Sequence, residues 1–188
     1  MKKKFYILIG IYIALALADG ALTFINTPDL KLEGNPLVSV FGFGWESLII
    51  ANILGFVLVF FSSYYTFIKY EPMKTSVNNR REYLSQIFFN RPDKFAWTFY
   101  KWPPNRQPIY AYAGYVLMYG MITARIVVIF QWIIHDMRVY IYDYIRGKMP
   151  FGRMDIVIML IVIIILSIHI TNKQFKANNN LVKDTYKC

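Results

Sequence analysis

Four long runs of apolar residues dominate the chain, and polar and charged residues return between them. The runs cover residues 5–26, 45–67, 109–134 and 156–171. About 20 helical residues cross a bilayer core of about 30 Å, and a helix satisfies all of its backbone hydrogen bonds within the lipid. The pattern therefore predicts an all-α integral membrane protein, a four-helix transmembrane bundle that forms a single membrane domain over residues 1–188.

Composition supports this interpretation and excludes several classes of protein. The chain is 56% hydrophobic and only 17% charged, whereas a soluble domain carries about 25% charged residues. Its mean hydropathy is +0.36. These values exclude a soluble enzyme and a disordered chain. The single cysteine, Cys188, excludes an intramolecular disulfide and therefore a secreted disulfide scaffold.

The distribution of positive charge predicts an orientation. The chain has 21 Lys and Arg against 11 Asp and Glu. With four spans, the N-terminal tail, the segment 69–108 and the C-terminal tail share one side, which holds 15 of the basic residues, and the other side holds 5. Cytoplasmic loops collect Lys and Arg. The sequence thus predicts a multi-pass protein of the cell membrane with both termini in the cytoplasm.

The first run also has features of a secretory signal peptide. Lys2–Lys4 precede an apolar stretch, and Ala16-Leu17-Ala18 resembles a small-residue cleavage site. Cleavage there would make Asp19 the first residue of the mature chain. Apolar residues resume directly after Gly20, so the run is long enough to span a bilayer. This length favours a retained signal anchor.

The predicted cytoplasmic segment 69–108 has a character of its own. Apolar residues recur at helical spacing within 78–90, which predicts an amphipathic helix on the membrane surface. Aromatic and basic residues alternate after it. Such a mixture can stack on nucleic acid, but between two spans it favours the membrane interface and anionic lipid at the cytoplasmic face. The predicted surface residues are Arg80, Arg81, Lys94, Trp97, Lys101 and Trp102.

Ionisable residues inside the apolar runs are costly and therefore predict a functional or structural partner. Asp19 lies about 21 Å along the first helix from Phe5, and Arg125 about 24 Å along the third from Ile109. Both depths fall in the outer third of a core of about 30 Å. We therefore expect an Asp19–Arg125 contact, with Thr23 one turn beyond Asp19 and Glu46 near the same layer. The predicted intramembrane polar cluster consists of Asp19, Thr23, Glu33, Asn35, Glu46 and Arg125.

The connection that follows completes a recognisable pattern. Asp19-x3-Thr23, a short loop and then Glu33-x-Asn35-Pro36 resemble a family of small multi-span prokaryotic membrane proteins of unknown function. The resemblance covers roughly residues 8–60. It implies that these five residues form the characteristic polar site of the family, and it implies no chemistry.

The residues themselves leave several functions open. Asp19, Glu33 and Glu46 could bind a hard cation or act as an acid–base pair, and Asp19 with Arg125 could line the path of a small transporter or channel. Structural pairing that fixes helix packing is the interpretation we favour. It predicts a non-enzymatic accessory or assembly subunit whose partner is a membrane protein or a second copy. Another alternative is an intramembrane enzyme that uses Asp19, Glu33 and Glu46.

Familiar catalytic motifs do not occur in the sequence. It contains no Gly-x-Ser-x-Gly, no His-Glu-x-x-His and no phosphate-binding Gly-x4-Gly-Lys. The sequence accordingly assigns no catalytic residue, metal ligand or cofactor.

Overall fold

The computed structural model describes residues 2–30, 38, 41–77, 79–136 and 154–185, and all of the regular structure in these ranges is helical. The five α-helices there are α1 (Lys2–Asn26), α2 (Trp45–Tyr64), α3 (Arg80–Phe89), α4 (Gln107–Asp136) and α5 (Met154–Thr185). A π-helical turn, Tyr65–Lys69, prolongs α2, and a 3₁₀ helix, Phe95–Phe99, follows α3. The all-α prediction is confirmed for these residues.

Four helical segments are long and apolar enough to cross a membrane: Lys2–Asn26, Trp45–Lys69, Gln107–Ile134 and Leu160–Asn179. The first three agree with the predicted runs to within a few residues. The fourth helix differs, because the apolar run ends near Thr171 whereas α5 continues to Thr185. Its 32 residues extend about 48 Å at about 1.5 Å per residue. Thr171 bonds Tyr112, which lies five residues after the first residue of α4, so the 14 residues of α5 after Thr171 extend past the start of α4.

The long helices alternate in direction around α4, which packs against α1, α2 and α5. The ring of Phe5 near the start of α1 meets Phe60 near the end of α2 at 5.5 Å, whereas Phe24 meets Trp45 at 5.7 Å at the opposite end. The hydroxyl of Tyr112 in α4 likewise bonds Thr171 in α5 at 3.3 Å. The start of α1 and the polar end of α5 therefore share one end of the bundle.

This end carries much of the positive charge of the described chain, and we call it the basic end, defined by Lys4, Lys69, Arg106 and Lys173. Lys4 Nζ lies 5.4 Å from the centroid of the Tyr119 ring and 5.9 Å from that of Phe67, a cation–π geometry. The bundle core lies beside it and contains Phe5, Tyr12, Val59 and Met118.

Helices α2 and α4 approach each other closely at Gly114. A Cβ placed on Gly114 would lie 2.2 Å from the carbonyl oxygen of Ser62 and 2.3 Å from Thr66 Oγ1, so only glycine fits there. Thr66 Oγ1 donates to the Ala111 carbonyl at 3.0 Å, and Ser63 Oγ donates to that of Gly114 at 3.4 Å. Small residues at such seams let backbones approach and polar side chains bond across them.

A second packed unit covers the basic end, and we call it the end cap: residues 70–77, residues 79–106 and the 172–179 part of α5. Asn178 joins two of its parts, since Oδ1 accepts from Thr75 N and Nδ2 donates to Thr75 O, each at 2.7 Å. The rings of Tyr83 in α3 and Phe175 in α5 meet at 5.8 Å. These contacts explain why α5 stays helical after its apolar run ends.

Helix α3 begins and ends as its sequence predicts, but its apolar face has a different neighbour. Asn79 caps it by accepting from Arg81 N at 3.0 Å, and Asn90 ends it in the left-handed region with φ 57°. The sequence predicts an amphipathic helix on the membrane surface, but Tyr83 and Ile87 on its apolar face are fully buried within the protein. That face of α3 is therefore covered by the end cap itself.

Burial makes ionisation of the two buried phenols of the end cap less favourable still than it is in water. Loss of water around the phenol raises the pKa of Tyr70 to about 12, and the same cause raises the pKa of Tyr83. The charged form of a buried phenol is disfavoured because the surroundings cannot solvate it. Both hydroxyls therefore remain protonated at physiological pH.

We expect Gly114→Ala to destabilise the bundle by about 1–3 kcal/mol, because the added methyl group overlaps the Ser62 carbonyl and α2 must move away. Gly55→Ala on α2 is the matched control, since its Cβ would meet nothing within 4 Å. Thermal unfolding of the two variants in detergent micelles checks this. Equal melting temperatures for both variants would contradict the close α2–α4 contact.

Candidate functional site

One arginine joins three helices away from the basic end. Arg125 of α4 donates from Nη1 to Asp19 Oδ2 of α1 and from Nη2 to Asn52 Oδ1 of α2. The first contact is also an ion pair between opposite charges. The predicted meeting of Asp19 and Arg125 is therefore present in the structure, and we call the three side chains the Arg125 triad.

Asn52 is the member that the sequence analysis missed. Its Nδ2 donates to the Leu48 carbonyl one turn earlier at 2.8 Å, and this bond leaves Oδ1 to accept from the guanidinium group. The sequence does contain a signal for Asn52, because an amide within the apolar run 45–67 also needs a hydrogen-bond partner. Asn52 lies about 10 Å along α2 from Trp45, which matches the depth of the other two residues.

The triad is largely shielded from solvent. The side chain of Arg125 is 16% exposed and that of Asp19 is 10% exposed. Tyr12 and Thr23, seven residues before and four residues after Asp19 on the same face of α1, are also buried, and the Tyr12 ring stacks on Phe56 at 6.1 Å. An ion pair in such surroundings is costly to break, because either partner left alone is a desolvated charge.

Of the remaining predicted members, Glu46 is the one that the structure describes, and it lies apart from this group. Glu46 is exposed in the first turn of α2. It precedes Asn52 by six residues, which places it about 120° away around the helix at about 100° per residue, so the prediction that it shares the polar cluster is corrected. Glu33, Asn35 and Pro36 lie outside the described residues.

A short turn above the triad holds the ends of α1 and α2 together. Thr27 is buried and its Oγ1 lies 3.3 Å from Asp29 Oδ1, while Trp45 Nε1 donates to the Pro28 carbonyl at 2.8 Å. Leu30 adopts the left-handed region with φ 59°. Because Trp45 is the first residue of α2, this bond helps to set the height of Asn52 relative to Asp19.

The chemistry open to the triad is limited by its composition. It contains one carboxylate, and that carboxylate faces a guanidinium group, so the pair carries no net charge. Among the described residues, no three His, Cys, Asp or Glu side chains gather as they would to hold a metal ion. The triad is thus suited to fixing helices, and it holds a single carboxylate rather than the pair that acid–base work would use.

Comparisons with protein-family models, curated proteins and solved structures find no match. The resemblance of this chain to small multi-span prokaryotic membrane proteins stays a prediction.

The predicted membrane-surface residues form a second candidate site on the end cap. Lys94 Nζ and Lys101 Nζ lie 5.4 and 3.7 Å from the centroid of the Trp97 ring, and the Arg81 guanidinium lies 5.8 Å from that of Phe95. Arg80 and Trp102 are exposed beside them. We call the set Arg80, Arg81, Lys94, Phe95, Trp97, Phe99, Tyr100, Lys101 and Trp102 the aromatic-basic patch.

We expect Asp19→Leu and Arg125→Leu each to destabilise the bundle by about 3–5 kcal/mol, because each leaves one buried charge without its partner. The double variant removes both charges and should be much milder than either single one. Unfolding free energies of the three variants in bicelles form a double-mutant cycle that measures the coupling. A double variant as damaging as the two singles added together would refute the coupling.

Proposed function

We propose that this chain is a multi-pass membrane protein with both termini in the cytoplasm, and that it acts as a non-enzymatic subunit of a membrane complex. Its spans fix a scaffold, and its end cap presents a docking surface to a partner membrane protein. The observation that carries the proposal is the Arg125 triad, in which both terminal nitrogens of the arginine are bonded to neighbouring helices.

The pairing within the triad favours a scaffold over transport or catalysis. A transport path needs polar groups that exchange partners with a solute, and an enzyme needs a group free to move a proton. Here the charge of Arg125 is neutralised by Asp19, and the amide of Asn52 is oriented by Leu48. These bonds connect α1, α2 and α4 and leave the triad neutral.

The basic end supports the orientation. The start of α1, the end of α2, the start of α4 and the polar part of α5 meet there, and their lysines and arginines accompany them. The rule that cytoplasmic segments collect Lys and Arg then assigns this end to the cytoplasm. Exposed apolar side chains on the flanks, such as Leu54, Phe61 and Ile164, are suited to lipid contact.

The single cysteine allows a direct test of the orientation. We expect Cys188 to resist a membrane-impermeant maleimide in intact cells and to react after permeabilisation, because a cytoplasmic thiol is out of reach of the reagent. Glu46→Cys in a Cys188→Ser background should react in intact cells, since Glu46 lies at the other end of the bundle. Labelling of Cys188 in intact cells would reverse the proposed orientation.

The proposed role as a subunit is tested through the end cap. We expect the full chain, purified in mild detergent, to retain a membrane-protein partner at fixed stoichiometry. Asn178→Ala removes the two bonds to Thr75 and should lose most of that partner, whereas Asn179→Ala, at the neighbouring and less buried position, should keep it. Quantitative mass spectrometry of the purified material gives the stoichiometry.

Two results would overturn the role as a subunit. One is a chain that purifies alone in every detergent tested and crosslinks to no neighbour at fixed stoichiometry in the membrane. The other is solute flux in proteoliposomes that Asp19→Asn abolishes, which would make the triad part of a transport path.

A further inference from the structure

We propose that the aromatic-basic patch of the end cap binds the headgroups of anionic phospholipids in the leaflet around the basic end. This inference rests on the proposed orientation in the membrane, but not on the proposed role as a subunit. It assigns a ligand class to a surface that the bundle itself does not need.

The patch is built on a fixed backbone. Ser85 of α3 donates to the Arg91 carbonyl and accepts from Lys94 N at 2.9 Å, so one buried hydroxyl holds the turn before the 3₁₀ helix. The Trp97 ring packs edge-on against Phe89 at 5.7 Å. These contacts hold the indole in place on the surface of the end cap.

The same patch exposes large aromatic side chains. Phe99 is 78% exposed, Tyr100 is 68% exposed and Trp102 is 76% exposed. Burial within the end cap stabilises rings such as Tyr83, but nothing in the described chain covers these three. Aromatic side chains with an apolar body and a polar edge are typical of the membrane–water interface.

The position along the chain places these rings close to the bilayer. Trp102 precedes the first residue of α4, Gln107, by five residues, which span at most about 18 Å. The connection is also tied to α3, because Asn105 N and Nδ2 donate to the Phe88 and Ile87 carbonyls at 3.3 and 2.9 Å. The patch is thus continuous with the lipid-facing start of α4, where Tyr110 is exposed.

Charge identifies the kind of lipid. Residues 79–106 contain six basic residues and two acidic ones, and a hydrogen bond from Lys94 holds the pKa of Asp93 below its usual range. Lys94 Nζ pairs with Asp93 Oδ2 at 2.7 Å, so a phosphate at Lys94 competes with that exposed carboxylate, whereas Lys101 is exposed and lies over the Trp97 ring. A basic residue near an anionic leaflet gains about 1 kcal/mol, whereas an uncharged lipid surface offers no such gain.

Lipid fits these observations better than another macromolecule. A protein or a nucleic acid could also cover basic and aromatic side chains. However, the patch adjoins a helix that is itself apolar and exposed, and an occupant must meet both surfaces without a break. A bilayer with anionic headgroups does so, since its acyl chains cover α4 and its phosphates reach the lysines.

The test uses the full chain in nanodiscs that contain phosphatidylcholine and phosphatidylglycerol in equal amounts, with bromine on the acyl chains of one lipid or the other. Bromine quenches nearby tryptophans, so the comparison reports which lipid surrounds the four tryptophans of the chain, and the part of the signal that Trp102→Phe removes belongs to the patch. We expect brominated phosphatidylglycerol to quench more strongly. In Trp102→Phe the remaining preference should fall, because the most exposed reporter of the patch is gone.

Charge variants connect the preference to the patch. We expect the paired variant Lys94→Gln/Lys101→Gln to reduce the preference by about fivefold per lysine, the factor that corresponds to about 1 kcal/mol each. The control Lys173→Gln/Lys176→Gln removes the same charge from exposed positions on α5 and should keep most of the preference. All four lysines lie at the surface or partly exposed, and melting temperatures confirm that the variants fold.

Three results would overturn the proposal. Equal quenching by both lipids would show that the patch has no preference for anionic headgroups. An equal loss of the lipid preference in the two paired variants would show that the preference depends only on the net charge of the protein. Protection of Trp102 from a water-soluble quencher only when a protein or RNA is bound would assign the patch to that partner. Each of these leaves the cysteine labelling unchanged, so the orientation is judged separately.

Discussion

The arrangement of the helices depends on the bonds that Arg125 makes across the bundle. From Asn52 to Ser63 is eleven residues along α2, and from Arg125 to Gly114 is eleven residues back along α4. The next pair, Thr66 with Ala111, lies three residues further on in each helix. All three contacts therefore belong to one antiparallel register. A shift of either helix by one turn, about 5.4 Å, would break every one of them.

This constraint matters because apolar surfaces alone cannot set a register in apolar surroundings. When lipid takes the place of water, burying one apolar side chain against another gains little, and close packing and hydrogen bonds remain as the specific forces. Gly114 provides close packing by allowing the backbones to touch, and Arg125 provides the hydrogen bonds. Gly114 and Arg125 lie about 16 Å apart along α4, so contacts at these two points fix both the position and the tilt of α2.

Sequence reasoning could find those features that follow from distance along a helix. Three of the four spans and the common depth of Asp19 and Arg125 were predictable because the rise per residue is constant. The position of a residue around the helix axis was harder to predict. Glu46 has a suitable depth but lies about 120° around the helix from Asn52. Asn52 itself went unnoticed because an uncharged amide barely changes the hydropathy of its run. The continuation of α5 past Thr171 could not be read locally, since it depends on contacts with Thr75 and Tyr83 that are distant in sequence.

The end cap and the bundle are held together by different physics, and their substitutions should behave differently for that reason. In the end cap, buried rings such as Tyr83 and Phe175 replace contacts with water, so apolar burial contributes directly to stability. The Asn178–Thr75 bonds then satisfy polar groups that burial would otherwise leave unpaired. In the proposed bilayer the relative importance of apolar burial and polar contacts is reversed. A polar contact such as Arg125–Asn52 determines which helix faces meet, and the apolar side chains fill the space that remains. The loss of a methyl group should therefore matter most in the end cap, and the loss of a hydrogen bond should matter most in the bundle.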